Sequence, residues 1–150
     1  MRLAAQQLPP EPGQSAPDFV LKSLAGDVIR LADLAGRPVL VNFWASWCKP
    51  CQMEMPAIIA AYHAHQEARL AVLAVNLRDQ EQRQDVRRFV ANLPLPFPVL
   101  LDVKGNVRMR HGLIAVPTTV FVDSGGVIRS IQPGPLTEAT LSRGLALILP

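Results

Sequence analysis

Six consecutive residues, Val39-Leu40-Val41-Asn42-Phe43-Trp44, are apolar except for one asparagine, and shortly after them the pattern changes. Cys51, Met55, Ile58, Ile59 and Tyr62 recur three or four apart. An unbroken apolar run of this length predicts a strand buried on both faces. The spacing that follows predicts a helix with one inward face. A strand covered on both sides belongs inside a sheet, so the chain must supply further strands and enough helix to cover both faces. Pro56 is expected to bend that helix, because it removes a backbone donor and crowds the carbonyl of Gln52. The strand-to-helix junction carries Trp47-Cys48-Lys49-Pro50-Cys51, which contains both cysteines of the chain.

The remaining elements can be read around this centre. Phe19-Val20-Leu21 and Val28-Ile29-Arg30 flank Ala25-Gly26-Asp27, as in a β-hairpin. Leu31 to Leu34 reads as a helical turn ending at Gly36. Leu70 to Val75 is a second apolar strand, and Val86, Phe89 and Val90 mark a second helix that stops by Pro94, Pro96 and Pro98. Val99 to Leu101 is short and extended. Thr118 to Val122 and Val127 to Ile131 lie on either side of Ser124-Gly125-Gly126, a second hairpin. Thr137 is placed to cap a terminal helix whose buried stripe is Leu141, Leu145 and Ile148. This order implies an α/β fold, with a mixed central sheet covered by helices and preceded by a hairpin. Ligands and chemistry gather where strands hand over to helices in such sheets, and the cysteine pair falls at such a point.

Hydrophobic residues make up 49% and charged residues 18% of the 150, enough for one domain with a real core. Residues 1–16 are set apart by Pro9, Pro10, Pro12, Gly13 and Ser15, and read as an extended, poorly ordered leader to a domain over 17–150. No apolar run approaches the ~20 residues of a membrane span. Met1 to Gln7 lack the apolar stretch of a secretory signal, which leaves either a cytosolic chain or one that begins after a removed signal or anchor. Arg78, Arg83, Arg87 and Arg88 are interleaved with Asp79, Glu81 and Asp85, so they read as a solvated helix face rather than a nucleic-acid stripe.

Two residues between the cysteines at a helix start bring the sulfurs within bonding distance, with the first exposed and the second tucked beneath the turn. Unpaired backbone N–H groups and the positive helix end stabilise a thiolate at Cys48, and Lys49 adds a cation. Pro50 sits where its missing N–H costs nothing. A zinc site needs four ligands and the pair supplies two; His63 and His65 face different sides of a helix and His111 is isolated. A structural disulfide would close a tiny loop and add little stability. Thiol–disulfide exchange is therefore the reading preferred over a metal-binding module or a non-catalytic interaction domain.

The stretch VLVNFWASWCKPCQMEMP from Val39 to Pro56 resembles the thioredoxin superfamily, and within it the TlpA/ResA-like branch. Ala16-Pro17-Asp18-Phe19, Leu31 to Gly36, Val116-Pro117-Thr118-Thr119 and Phe121-Val122-Asp123 extend the likeness from Ser15 to the C-terminus. The resemblance implies that Cys48 is the nucleophile and Cys51 the resolving cysteine of a redox-active disulfide. It further implies that Pro117 is a cis-proline facing them, that the Val116 backbone pairs with an incoming peptide, and that Trp47 is the active-site tryptophan. Trp44 is a core residue. Thioredoxin has an aspartate beneath its cysteines where this chain has Asn42; Glu54 matches the branch's acidic residue and is the expected proton shuttle for Cys51.

His111 stands where the branch usually has tyrosine. Ala115-Val116-Pro117-Thr118 lacks the Gly-Ala-Pro-Glu pattern of one cytochrome-c-maturation member. A peroxidatic cysteine would need Ser or Thr where Ala45 stands and Pro at Val41. The function implied is a thiol–disulfide oxidoreductase acting on protein disulfides, as a reductant of the cytochrome c maturation or metal-centre thiol type, with oxidant or isomerase as the alternative direction. The expected partners are protein substrates and an upstream electron donor, with no nucleic acid, no metal and no organic cofactor. A monomer is expected, periplasmic or otherwise extracytoplasmic, held to a membrane only through an anchor absent from this chain.

Overall fold

The computed structural model describes residues 8–150. Its centre is a five-stranded sheet in the order β5-β4-β3-β6-β7. The apolar run forms the middle strand β3 (Val39–Trp44), buried along its whole length. It pairs in parallel with β4 (Ala71–Asn76) and antiparallel with β6 (Thr118–Val122). β5 (Val99–Leu101) extends the sheet in parallel beyond β4, and β7 (Ile128–Pro133) extends it antiparallel beyond β6. The expected hairpin is β1 (Val20–Lys22) with β2 (Val28–Arg30), followed by a 3-10 turn at Leu31–Leu34.

Side chains alternate along β3, so one strand serves two cores. Leu40 and Trp44, with Val72, Ala74 and Phe121, face α1 (Lys49–Ala64), α2 (Arg83–Asn92) and α4 (Glu138–Ile148). Met55 and Ile58 of α1 are completely buried there, each worth about 1.5–3 kcal/mol of apolar transfer. Val39, Val41 and Phe43 face the other way, where Phe19, Leu31 and Val107 cover them. Val107 lies on α3 (Asn106–Arg110), a short helix that the spacing of apolar residues does not reveal. Helix α1 runs on through Pro56, which leaves the Gln52 carbonyl without its usual donor. Thr137 caps α4 as expected, its hydroxyl accepting from the Thr140 amide at 3.1 Å.

The leader differs from its expectation. Residues 1–7 lie outside the described residues. From there on the segment is docked: the Gly13 amide donates to the Ile128 carbonyl at 2.7 Å, the Ile128 amide to Gln14 at 2.9 Å, and the Ala16 amide to Gly126 at 2.9 Å. Pro10 is buried. The cause is the free edge of β7, whose unpaired backbone groups take the passing chain as a partner.

Candidate active site

Where β3 ends, Cys48 becomes the N-cap of α1, and its sulfur accepts from the Cys51 amide at 3.2 Å. Pro50 occupies the first turn, where it removes no intrahelical bond. The two cysteines form a disulfide, with Cα atoms 5.2 Å apart. Cys51 is fully buried, as the spacing predicted. Cys48 is not the exposed residue expected: in the disulfide it is only 5% exposed, packed into the α1 side of the core. Trp47 beside it is the open part of the loop, 58% exposed, whereas Trp44 is buried as expected.

Glu54 lies one turn beyond Cys51 and is buried, only 3% exposed. One oxygen accepts from the Asn42 side-chain amide at 2.7 Å, the other from the Leu136 backbone amide at 2.8 Å. Asn42 also donates to Thr119 Oγ1 at 3.0 Å, its partner across β3 and β6. Burial pushes the Glu54 carboxyl above the usual carboxylate range, against the opposing pull of the Leu136 and Asn42 donors. The Asn42 carbonyl oxygen is buried without a donor. A half-turn of that amide would let its oxygen accept a hydrogen bond from a protonated Glu54 instead.

The Val116–Pro117 peptide is cis. Phe43 pairs with Thr118, so Pro117 sits level with the end of β3. Its carbonyl accepts from Gly134 at 2.8 Å, and Thr118 Oγ1 closes the bend on Ala115 at 2.8 Å. Val116 makes no backbone–backbone hydrogen bond among the described residues.

Two contributors escape sequence reasoning. The Leu136 amide is a backbone group and has no sequence signature. Glu81 reads as one acid among scattered arginines, yet it accepts from Ser46 and from buried Asn76. Within the arginine stretch, Arg78 bonds the Glu81 carbonyl and Arg88 pairs with Asp85, while Asp79 pairs with Arg108. Among the described residues, no cluster of three or more His, Cys, Asp or Glu is placed to hold a metal ion, and no helix is long and apolar enough to cross a membrane.

A buried CxxC disulfide at a helix start, with a carboxyl one turn on, is suited to disulfide exchange, and the chain is similar to proteins named for that activity. The family model described as AhpC/TSA family matches residues 12–131. The thioredoxin-like protein YneN of Bacillus subtilis is 42% identical over 136 residues, covering 90% of this chain and 79% of that protein. The thiol-disulfide oxidoreductase ResA of Geobacillus thermodenitrificans is 37% identical over 138 residues, covering 92% of this chain and 78% of that one. Among solved structures, a putative thiol:disulfide interchange protein DsbE from Chlorobium tepidum superposes with TM-score 0.83 at 31% identity, over 91% of this chain and 96% of that chain. StoA from Bacillus subtilis gives TM-score 0.74 at 32% identity, over 89% and 98% of the two chains. The chain belongs to the AhpC/TSA family, as a thioredoxin-fold thiol–disulfide oxidoreductase of the ResA-like kind.

Proposed function

We propose that this oxidoreductase works as a reductant of protein disulfides outside the cytoplasm, in cytochrome c maturation or in keeping the thiols of a metal centre reduced. The observation that carries the direction is Glu54, a carboxyl buried in the helix face one turn from Cys51. Negative charge there opposes thiolate formation, raises the cysteine pKa and favours the disulfide form of the enzyme, which makes the dithiol a stronger reductant. Lys49 and the helix end pull the other way, but Lys49 is exposed and its effect is screened by solvent.

In the reaction, the Cys48 thiolate attacks one sulfur of the substrate disulfide, and the departing substrate thiolate takes up a proton. Cys51 then loses its proton to Glu54 and attacks the Cys48 sulfur of the mixed disulfide. The second substrate thiol leaves, and the Cys48–Cys51 disulfide remains. Two electrons have passed to the substrate, so a dithiol donor must restore the enzyme by the reverse exchange. Trp47 and the Val116 backbone before Pro117 form the docking surface, with the substrate peptide adding as a short strand. Redox titration against glutathione or dithiothreitol buffers, followed by Trp47 fluorescence, tests the direction. The expected midpoint is more negative than about −220 mV; a value above about −180 mV would make the protein an oxidant or isomerase.

A further inference from the structure

The loop that delivers Cys48 to its helix is fastened by one carboxylate from a turn on another strand. Ser46 donates its backbone amide to Glu81 Oε2 at 2.8 Å and its hydroxyl to Glu81 Oε1. Asn76, fully buried at the end of β4, donates to the same Oε2 at 2.8 Å. Arg78 bonds the Glu81 carbonyl at 2.7 Å and fixes the turn that presents the carboxylate. Gln52, in the first turn of α1, donates to the Ser46 carbonyl at 2.9 Å. The amide, hydroxyl and carbonyl of Ser46 are all committed, two residues before the nucleophile. Three donors therefore converge on the two oxygens of one side chain.

We propose that Glu81 is a positioning residue for disulfide exchange, its grip on Ser46 keeping the Cys48 sulfur seated in the N-cap of α1. The proposal rests on the reading of Cys48 as nucleophile. The unpaired amides at a helix start stabilise a thiolate only within hydrogen-bond reach. If the loop over 45–47 slackens, the sulfur spends time outside the cap and its pKa drifts up towards that of a free thiol. Charge alone acts with the opposite sign, because removing a nearby negative group lowers a thiol pKa. The other charged groups near the pair are Lys49 beside Cys48, Glu54 one turn beyond Cys51, Arg78 on the Glu81 carbonyl, and Asp85 and Arg88 of α2, which line the hollow beside Ser46 and Trp47; all stay in place in the variants. Position and charge therefore give opposite results.

The test measures iodoacetamide alkylation of Cys48 across pH in the reduced full chain, resolved by mass spectrometry, for wild type, Glu81→Ala, Glu81→Gln and Ser46→Ala. The glutamine retains the grip: its carbonyl accepts from Ser46 and Asn76, and its amide donates to the Ser46 hydroxyl. Glu81→Ala should raise the alkylation midpoint by about 0.5–1 pH unit and so slow the reaction near neutral pH roughly three- to tenfold. Glu81→Gln should restore the wild-type midpoint or fall slightly below it. Ser46→Ala keeps the amide bond and should show a smaller rise; it carries the test if Glu81→Ala fails to fold. A folded Glu81→Ala protein whose midpoint is unchanged or lowered overturns the proposal, as does an unchanged Ser46→Ala midpoint where that variant stands alone. If wild-type Cys48 reacts no faster than Cys51, the nucleophile reading itself falls and takes this proposal with it; normal wild-type preference with an unmoved Glu81→Ala midpoint sinks only the role of Glu81.

Discussion

Replacing Glu54 by glutamine isolates the cost of burying its charge. The carboxyl is 3% exposed, and its two hydrogen bonds come from Asn42 and Leu136. Glutamine can keep both: its carbonyl accepts from Leu136, and its amide donates to the Asn42 oxygen once that side chain turns over. At low pH, where Glu54 is neutral, the exchange is one hydrogen-bond pattern for another and should change stability by about 1 kcal/mol or less. The difference then grows with pH. Burial raises the folded pKa above the unfolded value near 4.3, so the neutral carboxyl favours the fold below that pH. This contribution is lost as pH rises from there through the raised folded pKa. Within the window the wild type loses up to about 1.4 kcal/mol per pH unit relative to Glu54→Gln, and above it the two curves run parallel. Urea unfolding of the oxidised proteins from acid to neutral pH measures this without interference, because disulfide-bonded cysteines do not titrate. A constant difference at every pH, or a wild type that gains on the variant as pH rises, would refute the reasoning.

Two further substitutions probe the packing around the site. Gly144→Ala should destabilise by about 1–3 kcal/mol, because a Cβ there runs into the buried ring of Phe121; helix propensity alone predicts a gain of about 1 kcal/mol, so a more stable variant in urea unfolding would contradict the close approach of α4 to β6. Burial lowers the pKa of His111, although its contact with the Val107 carbonyl at 2.9 Å pulls the other way. Its contribution is present above the unfolded pKa near 6.5 and is lost as pH falls through the lowered folded value, so the wild type should lose stability on acidification relative to His111→Asn; a pH-independent difference would exclude this.

The centre of the fold was legible because its signals are local and strong. Val39 to Trp44 has no polar face, and the period changes where Cys48 begins the helix, so strand, helix and junction follow from the chain itself. The position of Glu54 was legible too, one turn past Cys51. Its burial was not, because that depends on Asn42 from β3 and on the Leu136 amide 82 residues away. Glu81 was hidden for a related reason: a carboxylate among arginines looks solvated until the end of β4 brings Asn76 and Ser46 against it. The five residues of α3 are too few to show a helical period, and their start is fixed by Asp102 accepting from the Val107 and Arg108 amides. The segment from Leu8 to Ala16 misled because proline and glycine argue against regular structure, yet a free sheet edge can still hold an extended chain.

Unequal roles for the two cysteines are the centre of this account, and trapping measures them directly. Cys51→Ser and Cys48→Ser proteins, each reduced and then mixed with a peptide disulfide, are examined by intact mass and peptide mapping. Cys51→Ser should accumulate a one-to-one mixed disulfide on Cys48, because the group that would resolve it is gone. Cys48→Ser should remain unmodified while folded, since its remaining thiol is fully buried. Adducts forming equally fast on both variants, or faster through Cys51, would contradict the assignment of Cys48 as nucleophile.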